Sequence, residues 1–226
     1  MANVICLDFD DTIVMDNTAR QLFERFASAQ WRDAEAEYHG GRLTVEQFNA
    51  AAFATIEATK AEMQEFVRQN ARVRDGFMEL IDWAHWNGWL PIVVSNGFDL
   101  YVNPVLDGLG LDRVTRHAGR SRFDYRWRVT YFSPRGVELQ DGFKLSYAAA
   151  LQGAGDFVVY VGDGASDIAA ATMAPAVFAR DTLLERIGQS HSRVFPFETF
   201  RDVVPVLERE AEAWTAAFTP AVRPLP

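Results

Sequence analysis

Residues 3–12, NVICLDFDDT, join an apolar run to three carboxylates within four positions. Apolar side chains follow one another in this run without alternation, which predicts a strand covered on both faces, as parallel strands between helix layers are. The stretches LPIVVSN (90–96) and DFVVYVGDG (156–164) have the same pattern. In open α/β sheets the ligand crevice lies at the carboxyl ends of the strands. The polar residues that end these three runs are therefore expected to meet in one site.

The composition of the chain limits its possible functions. Of the 226 residues, 49% are hydrophobic and 23% are charged, which is typical of a globular protein with a sizeable core. The formal net charge of -9 opposes binding to nucleic acid or to an anionic membrane. The single cysteine, Cys6, cannot form an internal disulfide and is expected to be buried. Because Asp8 interrupts the first apolar run, we expect no signal peptide and a cytoplasmic protein.

A helical segment is predicted between the first two strands. In TARQLFERFA (18–27) the apolar residues share one stripe of a helix. Thr44 with Gln47 and Thr59 with Glu62 resemble capping boxes, which would start two further helices. We therefore expect the chain to leave the sheet after the first strand and to return to it for the second.

The chain is expected to form one α/β core with a small helical cap inserted in it. Residues 1–13 and 75–226 would form the core domain and residues 14–74 the cap domain, since no Ser/Gly-rich linker divides the chain into independent halves. In RFDYRWRVTYF (122–132) aromatic or apolar residues alternate with charged ones, which predicts a half-exposed strand or hairpin. The last residues, TPAVRPLP (219–226), are expected to be frayed.

Four carboxylates are predicted to share one metal site. Asp8 and Asp10 end the first strand, and Asp163 and Asp167 lie in the loop after the third. Bringing such charges together costs about 1 to 4 kcal/mol per pair at 4 Å, between water-like and surface dielectrics. A cation removes this penalty, and oxygen ligands favour a hard ion. The sequence therefore predicts Mg²⁺ bound by these four residues.

Two of the carboxylates are also candidate catalytic groups. A carboxylate oxygen of Asp8 could attack the phosphorus of a phosphate monoester and form an aspartyl phosphate. Asp10 could protonate the departing alkoxide and then take a proton from the water that cleaves the intermediate. This pairing would divide a very slow hydrolysis into two easier steps.

Residues near the second strand and before the third strand are candidates to bind the phosphoryl group. Ser95 and Lys144 could donate to its oxygens, where charge spreads in the transition state. The backbone amides of Asn96 and Gly97 could add further donors. Asp167 would then hold Lys144, or a metal-bound water, in place.

Four short segments carry a resemblance to a known family. In this order, DFDDT (8–12), SNG (95–97), the lysine of GFKLS (142–146) and GDGASD (162–167) resemble the four motifs of the haloacid dehalogenase-like phosphatase superfamily. The resemblance implies a doubly wound parallel sheet with a mobile cap. An acid two positions after the nucleophile, here Asp10, is similar to the pattern of the phosphatases and phosphomutases and implies phosphate monoester chemistry.

Further features resemble particular branches of that superfamily. A helical insert between the first and second motifs is similar to that of the small-cap group, which includes phosphoserine phosphatase. Residues 73–106 and FARDTLL (178–184) look most like the methionine-salvage phosphatases that act on 2-hydroxy-3-keto-5-methylthiopentenyl-1-phosphate. Asn17, a candidate substrate contact, stands where phosphoserine phosphatases usually carry a glutamate for the substrate amine. Asp11 replaces the glycine most often found at its position.

The sequence thus predicts a phosphoric monoester hydrolase that uses Mg²⁺ and acts on a small phosphorylated metabolite, with a place in methionine salvage. It predicts no nucleic-acid or membrane partner, and a monomer or a homodimer. Three alternatives stay open at this point: a phosphoserine phosphatase, a phosphomutase, and a non-catalytic phosphate-binding module.

Specificity is expected to lie in the cap, because the core groups contact only the phosphate. The candidates to face the leaving group are Arg20, Phe23, Phe26, Arg42, Phe53 and Phe66. Trp83, Trp86 and Trp89 lie in or beside a predicted helix and are expected to pack in the core rather than to form a binding surface.

Overall fold

A computed structural model gives the structure of residues 1–218, so the tail 219–226 that is expected to be frayed lies outside the described residues. The strands of the described part are Asn3–Leu7 (β1), Trp89–Phe98 (β2), Thr115–Asp124 (β3), Arg126–Phe132 (β4), Glu138–Leu139 (β5), Phe157–Gly162 (β6), Ala176–Ala179 (β7) and Val194–Pro196 (β8). The α-helices of that part are Thr18–Phe26 (α1), Trp31–His39 (α2), Val45–Phe53 (α3), Lys60–Asn70 (α4), Phe77–Trp86 (α5), Asp99–Gly108 (α6), Phe143–Gly153 (α7), Ile168–Met173 (α8), Asp181–Ile187 (α9) and Phe200–Ala216 (α10).

The eight strands form one sheet in the order β5-β4-β3-β2-β1-β6-β7-β8. In this order, β3, β2, β1, β6, β7 and β8 run parallel to their neighbours. β4 and β5 add an antiparallel edge beside β3. Successive strands are added on one side of β1 up to β5 and on its other side from β6 onward. This arrangement confirms the predicted doubly wound sheet, and it places the topological switch point, where such folds bind ligands, at the end of β1.

The three central strands form the middle of the core. Val4 to Leu7 of β1 are at most 1% exposed, and every residue of β6 is buried. Cys6 lies in this layer and is buried, as predicted. Leu7 is level with Val93 of β2 and with Val161 of β6, so the residues that follow these positions meet at one edge.

The segment between β1 and α5 consists of four helices, α1 to α4. Both predicted capping boxes are present, at Thr44 and at Thr59. The chain leaves and re-enters the core at neighbouring points, because Val14 and Val73 form an antiparallel bridge and the Met15 amide donates to the Arg72 carbonyl (2.8 Å). A division into separate cap and core domains stays a prediction.

The predicted strand or hairpin at 122–132 is a hairpin made by β3 and β4. Its alternation follows the predicted period of two: Trp127 and Val129 are buried, whereas Arg126 and Arg128 are exposed. Tyr125 stands at the tip with φ of 59°. None of the helices within residues 1–218 combines the length and the apolar character needed to cross a membrane.

The tryptophan prediction is correct for two residues and wrong for the third. Trp89 is buried and lies 5.7 Å from the partly buried Trp83 ring, measured between centroids. Trp86 is 82% exposed. The buried stripe of α5 includes Ala84, and a residue two positions further along a helix falls on the opposite face.

Candidate active site

The predicted site residues meet at the carboxyl ends of β1, β2 and β6, around a cavity of about 620 Å³. Those that line it are Asp8, Asp10, Asn17, Ser95, Asn96, Gly97, Lys144 and Asp163. Asp167 is fully buried beneath them. The helical segment supplies the opposite wall of the cavity.

Lys144, in the first turn of α7, is the buried cation at the centre of the site and is 3% exposed. Its Nζ lies 2.8 Å from Asp8 Oδ2 and 2.7 Å from Asp167 Oδ1, and it donates to Ser166 Oγ at 3.0 Å. Burial disfavours charge on this lysine, but the two carboxylates outweigh that effect and raise its pKa above the usual range. The ammonium therefore stays charged next to Asp8.

Asp167 is held by four donors. Oδ1 accepts from Lys144 and from the Tyr160 hydroxyl (2.6 Å), while Oδ2 accepts from the amides of Asp163 (3.2 Å) and Gly164 (2.9 Å). The sequence reasoning did not identify Tyr160. A tyrosine in an otherwise apolar, fully buried strand is a usable signal, since its hydroxyl needs a partner.

The carboxylates of Asp8, Asp163 and Asp167 form a group whose ligand oxygens lie within 4.8 Å of one another. Burial, followed by the charge of Asp167, raises the pKa of Asp8 well above its usual range and the pKa of Asp163 to about 7. Thr12 Oγ1 donates to Asp163 Oδ1 at 2.6 Å. Within the described chain, Asp8 keeps one oxygen outside its ion pair with Lys144. These hard oxygen donors with excess negative charge fit a divalent cation such as Mg²⁺.

The carboxylate of Asp10, predicted as a fourth metal ligand, is not one of the three that lie together. It accepts a hydrogen bond from the Thr18 amide (2.8 Å), which has no partner within α1 because it is at the start of the helix. It accepts a second hydrogen bond from the Tyr101 hydroxyl. Burial raises the pKa of Asp10 to about 6, although both hydrogen bonds favour its charged form. Tyr101 was not singled out from the sequence, where it reads as one more apolar residue of α6.

Ser95, Asn96 and Gly97 lie near the carboxyl end of β2 and line the same cavity as Asp8. Ser95 Oγ accepts from the Gly97 amide at 2.9 Å, so this amide is engaged within the loop. A Cβ atom on Gly97 would lie 2.0 Å from the Tyr101 hydroxyl and 2.9 Å from Asp10 Oδ2, so the close approach of these side chains requires glycine. The predicted substrate contacts of Asn96 and Gly97 stay predictions.

Asn17 caps α1 and contacts the loop after β1. Its Oδ1 accepts from the Arg20 amide (2.9 Å), and its Nδ2 donates to Asp11 Oδ2 (3.2 Å). Asp11 has φ of 58°, in the left-handed region that favours glycine, which accounts for the glycine most often seen there in the resembling family. The contact of Asn17 with substrate stays a prediction.

Arg74, a buried residue that the sequence reasoning missed, stabilises the loop after β1. Its guanidinium donates to the carbonyls of Asp11 (2.6 Å), Thr12 (2.8 Å) and Glu198 (3.0 Å). Three backbone acceptors from two distant loops match the fixed fork of an arginine. Arg74 thereby fixes the loop that carries the candidate nucleophile.

The helical wall of the cavity combines a neutralised cation with aromatic rings. Arg20 lies 3.1 Å from Glu24 and 2.9 Å from Glu35. Tyr38 stacks on Phe48 with ring centroids 5.2 Å apart and planes at 16°. Arg20, Tyr38 and Phe48 all line the cavity.

Of the six cap candidates, Arg20 and Phe23 line the cavity, whereas Phe26, Arg42, Phe53 and Phe66 are not among its lining residues. Phe26 packs edge-on against Phe66 with centroids at 5.5 Å, and Phe53 lies 4.5 Å from the Phe98 ring. Arg42 is exposed and pairs with Glu37. Helical periodicity gives the apolar face of a helix, but not whether a neighbouring helix or a cavity covers it.

Comparisons with known proteins agree with this geometry. The model of the haloacid dehalogenase-like hydrolase family matches residues 5–172. A 2-hydroxy-3-keto-5-methylthiopentenyl-1-phosphate phosphatase of Geobacillus thermodenitrificans is 31% identical over 211 residues, which cover 91% of this chain and 96% of that protein. A protein of the same name from Bacillus velezensis is 26% identical over 219 residues, covering 93% and 92%.

Solved structures show the same fold. A phosphoserine phosphatase, described as a phospho-aspartyl intermediate analogue, has a TM-score of 0.66 at 21% identity and covers 92% of this chain and 98% of its own. A probable phosphoserine phosphatase from Vibrio cholerae has a TM-score of 0.71 at 17% identity, covering 98% and 68%. With the family match extending from β1 to α8 and the curated relatives matched over nearly their full length, the chain belongs to the haloacid dehalogenase-like hydrolases and, within them, to the phosphatases.

Proposed function

We propose that the protein hydrolyses the phosphate monoester of a small metabolite, with Mg²⁺ as cofactor and through an aspartyl phosphate on Asp8. The observation that carries the proposal is the position of Asp8. Its carboxylate pairs with the buried Lys144 cation, belongs to a group of carboxylates that suits a divalent ion, and faces the cavity.

The metal would be held chiefly by Asp8 and Asp163. Asp167 also belongs to the group, but its oxygens are occupied by four donors, which supports a role in orienting Lys144 and the loop of Asp163. When bound, Mg²⁺ neutralises carboxylate charge and polarises phosphoryl oxygens, so that a phosphate dianion can approach. The carboxylate of Asp10 is held by Thr18 and Tyr101, which supports proton transfer rather than ligation through its side chain.

In the first step a carboxylate oxygen of Asp8 attacks phosphorus, and the bond between phosphorus and the ester oxygen breaks. The charge of the Lys144 ammonium stabilises the phosphoryl oxygens, on which charge is spread, and the Ser95 hydroxyl donates to them. Protonated Asp10 gives its proton to the leaving oxygen, and the alcohol departs.

In the second step Asp10, now charged, takes a proton from a water molecule that attacks the aspartyl phosphate. The acyl phosphate bond breaks, inorganic phosphate leaves, and both Asp8 and protonated Asp10 are restored. A carboxyl whose pKa is about 6 is suited to give and accept a proton near neutral pH.

For the substrate we infer 2-hydroxy-3-keto-5-methylthiopentenyl-1-phosphate, and thus a step in methionine salvage. The names of the curated relatives support it. The cavity wall supports it as well, because the carboxylates of Glu24 and Glu35 are both paired with Arg20, and the Tyr38 ring offers an aromatic contact to a thioether. A phosphoserine amine would need a free carboxylate, whereas Asp16 is paired with Arg72 at 2.9 Å.

The test is a panel of phosphate monoesters assayed for release of inorganic phosphate, with Mg²⁺ and after its removal by a chelator. The panel contains the methylthio substrate, phosphoserine and p-nitrophenyl phosphate. We expect Mg²⁺-dependent release, with kcat/KM for the methylthio substrate at least about 10²-fold above that for phosphoserine. Negligible release from every ester in both conditions would refute the phosphatase, and a preference for phosphoserine would refute the substrate. A cytoplasmic location and a monomeric or homodimeric state stay predictions.

A further inference from the structure

We propose that Glu46 and Asn49 of α3 are positioning residues, which hold Ser95 and Lys144 in the geometry for phosphoryl transfer when α3 is seated on the sheet. The inference rests on the proposed function and adds to it a mechanical link between the helical segment and the phosphate-binding groups. Neither residue is assigned a contact with the reacting atoms.

Glu46 connects two chain segments that carry site residues. It is 3% exposed, and its Oε1 accepts from Asn96 Nδ2 (3.0 Å) and from the Phe143 amide (2.9 Å). Asn96 directly follows Ser95, and Phe143 directly precedes Lys144. One carboxylate oxygen thus ties the end of β2 to the start of α7, and a buried carboxylate is retained only where such hydrogen bonds compensate its desolvation.

Asn49, one helical turn further along α3, holds the backbone of Asn96. Its Nδ2 donates to the Asn96 carbonyl at 2.8 Å and lies 3.1 Å from the Tyr131 hydroxyl. Tyr131 donates to that carbonyl as well, at 2.5 Å. Glu46 therefore fixes the side chain of Asn96, and Asn49 with Tyr131 fixes its carbonyl, so Ser95 has little freedom to move.

The same helix forms part of the wall around the leaving group. Val45, Phe48 and Asn49 line the cavity, and Glu46 is not among its lining residues. A leaving group that shifts α3 would also shift the hydrogen bonds from this helix to Asn96 and Phe143. Because a misplacement of about 1 Å can lower a rate by about 10²-fold, the seating of α3 is expected to set the rate of the chemical step.

The unpaired oxygen of Glu46 provides a way to separate position from charge. Among the residues that the structure describes, Oε2 has no hydrogen-bond partner although it is buried. Glu46→Gln can keep an acceptor oxygen at the position of Oε1 and place its amide nitrogen at that of Oε2. It removes the charge and retains the hydrogen bonds to Asn96 and Phe143, whereas Glu46→Ala removes the charge and these two hydrogen bonds.

The experiment measures kcat, KM and the inhibition constant of orthovanadate with p-nitrophenyl phosphate and Mg²⁺, beside the thermal unfolding midpoint. For Glu46→Ala and Asn49→Ala we expect kcat to fall about 10²-fold with KM within about threefold, and vanadate to bind more weakly in proportion to kcat/KM. Tyr131→Phe should lower kcat about tenfold, and Glu46→Gln should stay within about threefold of the wild type. Glu37→Gln, an exposed carboxylate of α2, is the control and should change nothing.

Three results would overturn the inference. The first is a folded Glu46→Ala or Asn49→Ala protein with unchanged kcat. The second is equal damage by Glu46→Gln and Glu46→Ala, because charge rather than position would then matter. The third, decisive if the alanine variants do not fold, is unchanged kcat and vanadate affinity in Tyr131→Phe. A wild-type protein that releases no phosphate would refute the proposed function, and vanadate affinity would still test the positioning.

Discussion

At the sheet end of the cavity Lys144 is 3% exposed and its two carboxylate partners are 8% and 0% exposed, whereas at the helical end Arg20 is 52% exposed and pairs with Glu24 and Glu35. Removing one partner of a buried pair leaves an uncompensated charge, but an exposed pair is solvated in any case. The difference indicates that a substitution in the buried ion pairs of Lys144 would destabilise the fold, whereas a substitution of Arg20 would not.

Asp8→Asn tests the sheet end with the largest expected effect. An amide oxygen is a poor nucleophile, so phosphate release should fall by at least about 10⁴-fold. The measurement is Mg²⁺-dependent turnover of p-nitrophenyl phosphate, with the exposed Asp82→Asn on α5 as control. Turnover by Asp8→Asn within tenfold of the wild type would show that another residue attacks phosphorus.

Lys144→Met is the next largest change. It leaves Asp8 and Asp167 facing each other in a buried place, which should lower the free energy of unfolding by about 3 kcal/mol and the rate by about 10²-fold or more. Urea unfolding with and without Mg²⁺ provides the measurement. We expect Mg²⁺ to restore part of the stability, since a cation again offsets the carboxylates, and an equal loss in both conditions would contradict a shared metal site.

Gly97→Ala tests the packing rather than the charge of the sheet end. Its Cβ would meet the Tyr101 hydroxyl at 2.0 Å, and Tyr101 is fully buried and hydrogen-bonded to Asp10, so this pair must shift. Overpacking of this kind costs about 1 to 3 kcal/mol, and displacement of Asp10 should lower kcat about tenfold or more. Gly108→Ala on α6, with open space around its Cβ position, is the matched control and should be neutral.

Two arginines of the helical segment should give the smallest effects. Arg20→Ala should leave inhibition by orthophosphate unchanged and lower stability by less than about 1 kcal/mol. It should lower kcat/KM for the methylthio substrate about tenfold, because Glu24 and Glu35 would face the leaving group uncompensated. Arg42→Ala, remote from the cavity, should change neither inhibition by orthophosphate nor kcat/KM for the methylthio substrate. Equal effects of the two variants on kcat/KM would contradict a role of Arg20 in the cavity wall that Arg42 on the outer surface does not share.

The sheet and its polar edge could be predicted because their signals are local. Continuous apolar runs identify β1, β2 and β6, and the carboxylates that end two of them directly follow in sequence. The supporting residues could not be predicted in this way. Tyr101 reaches Asp10 across 91 positions, and Glu46 reaches Phe143 across 97. Such contacts depend on the packing of whole helices, which the period of one segment does not describe.

The bridge between Val14 and Val73 has a consequence for how such enzymes diversify. Paired strands lie about 5 Å apart, so any insert whose two ends match that spacing can be exchanged there while β1 keeps its register. Recombination or engineering at this stem would change the selectivity, and the reaction centre would keep its geometry only where the new insert again supplies the contacts that Glu46 and Asn49 make with Asn96 and Phe143. A chimaera that carries the helical insert of another phosphatase between these two valines is the direct way to use it.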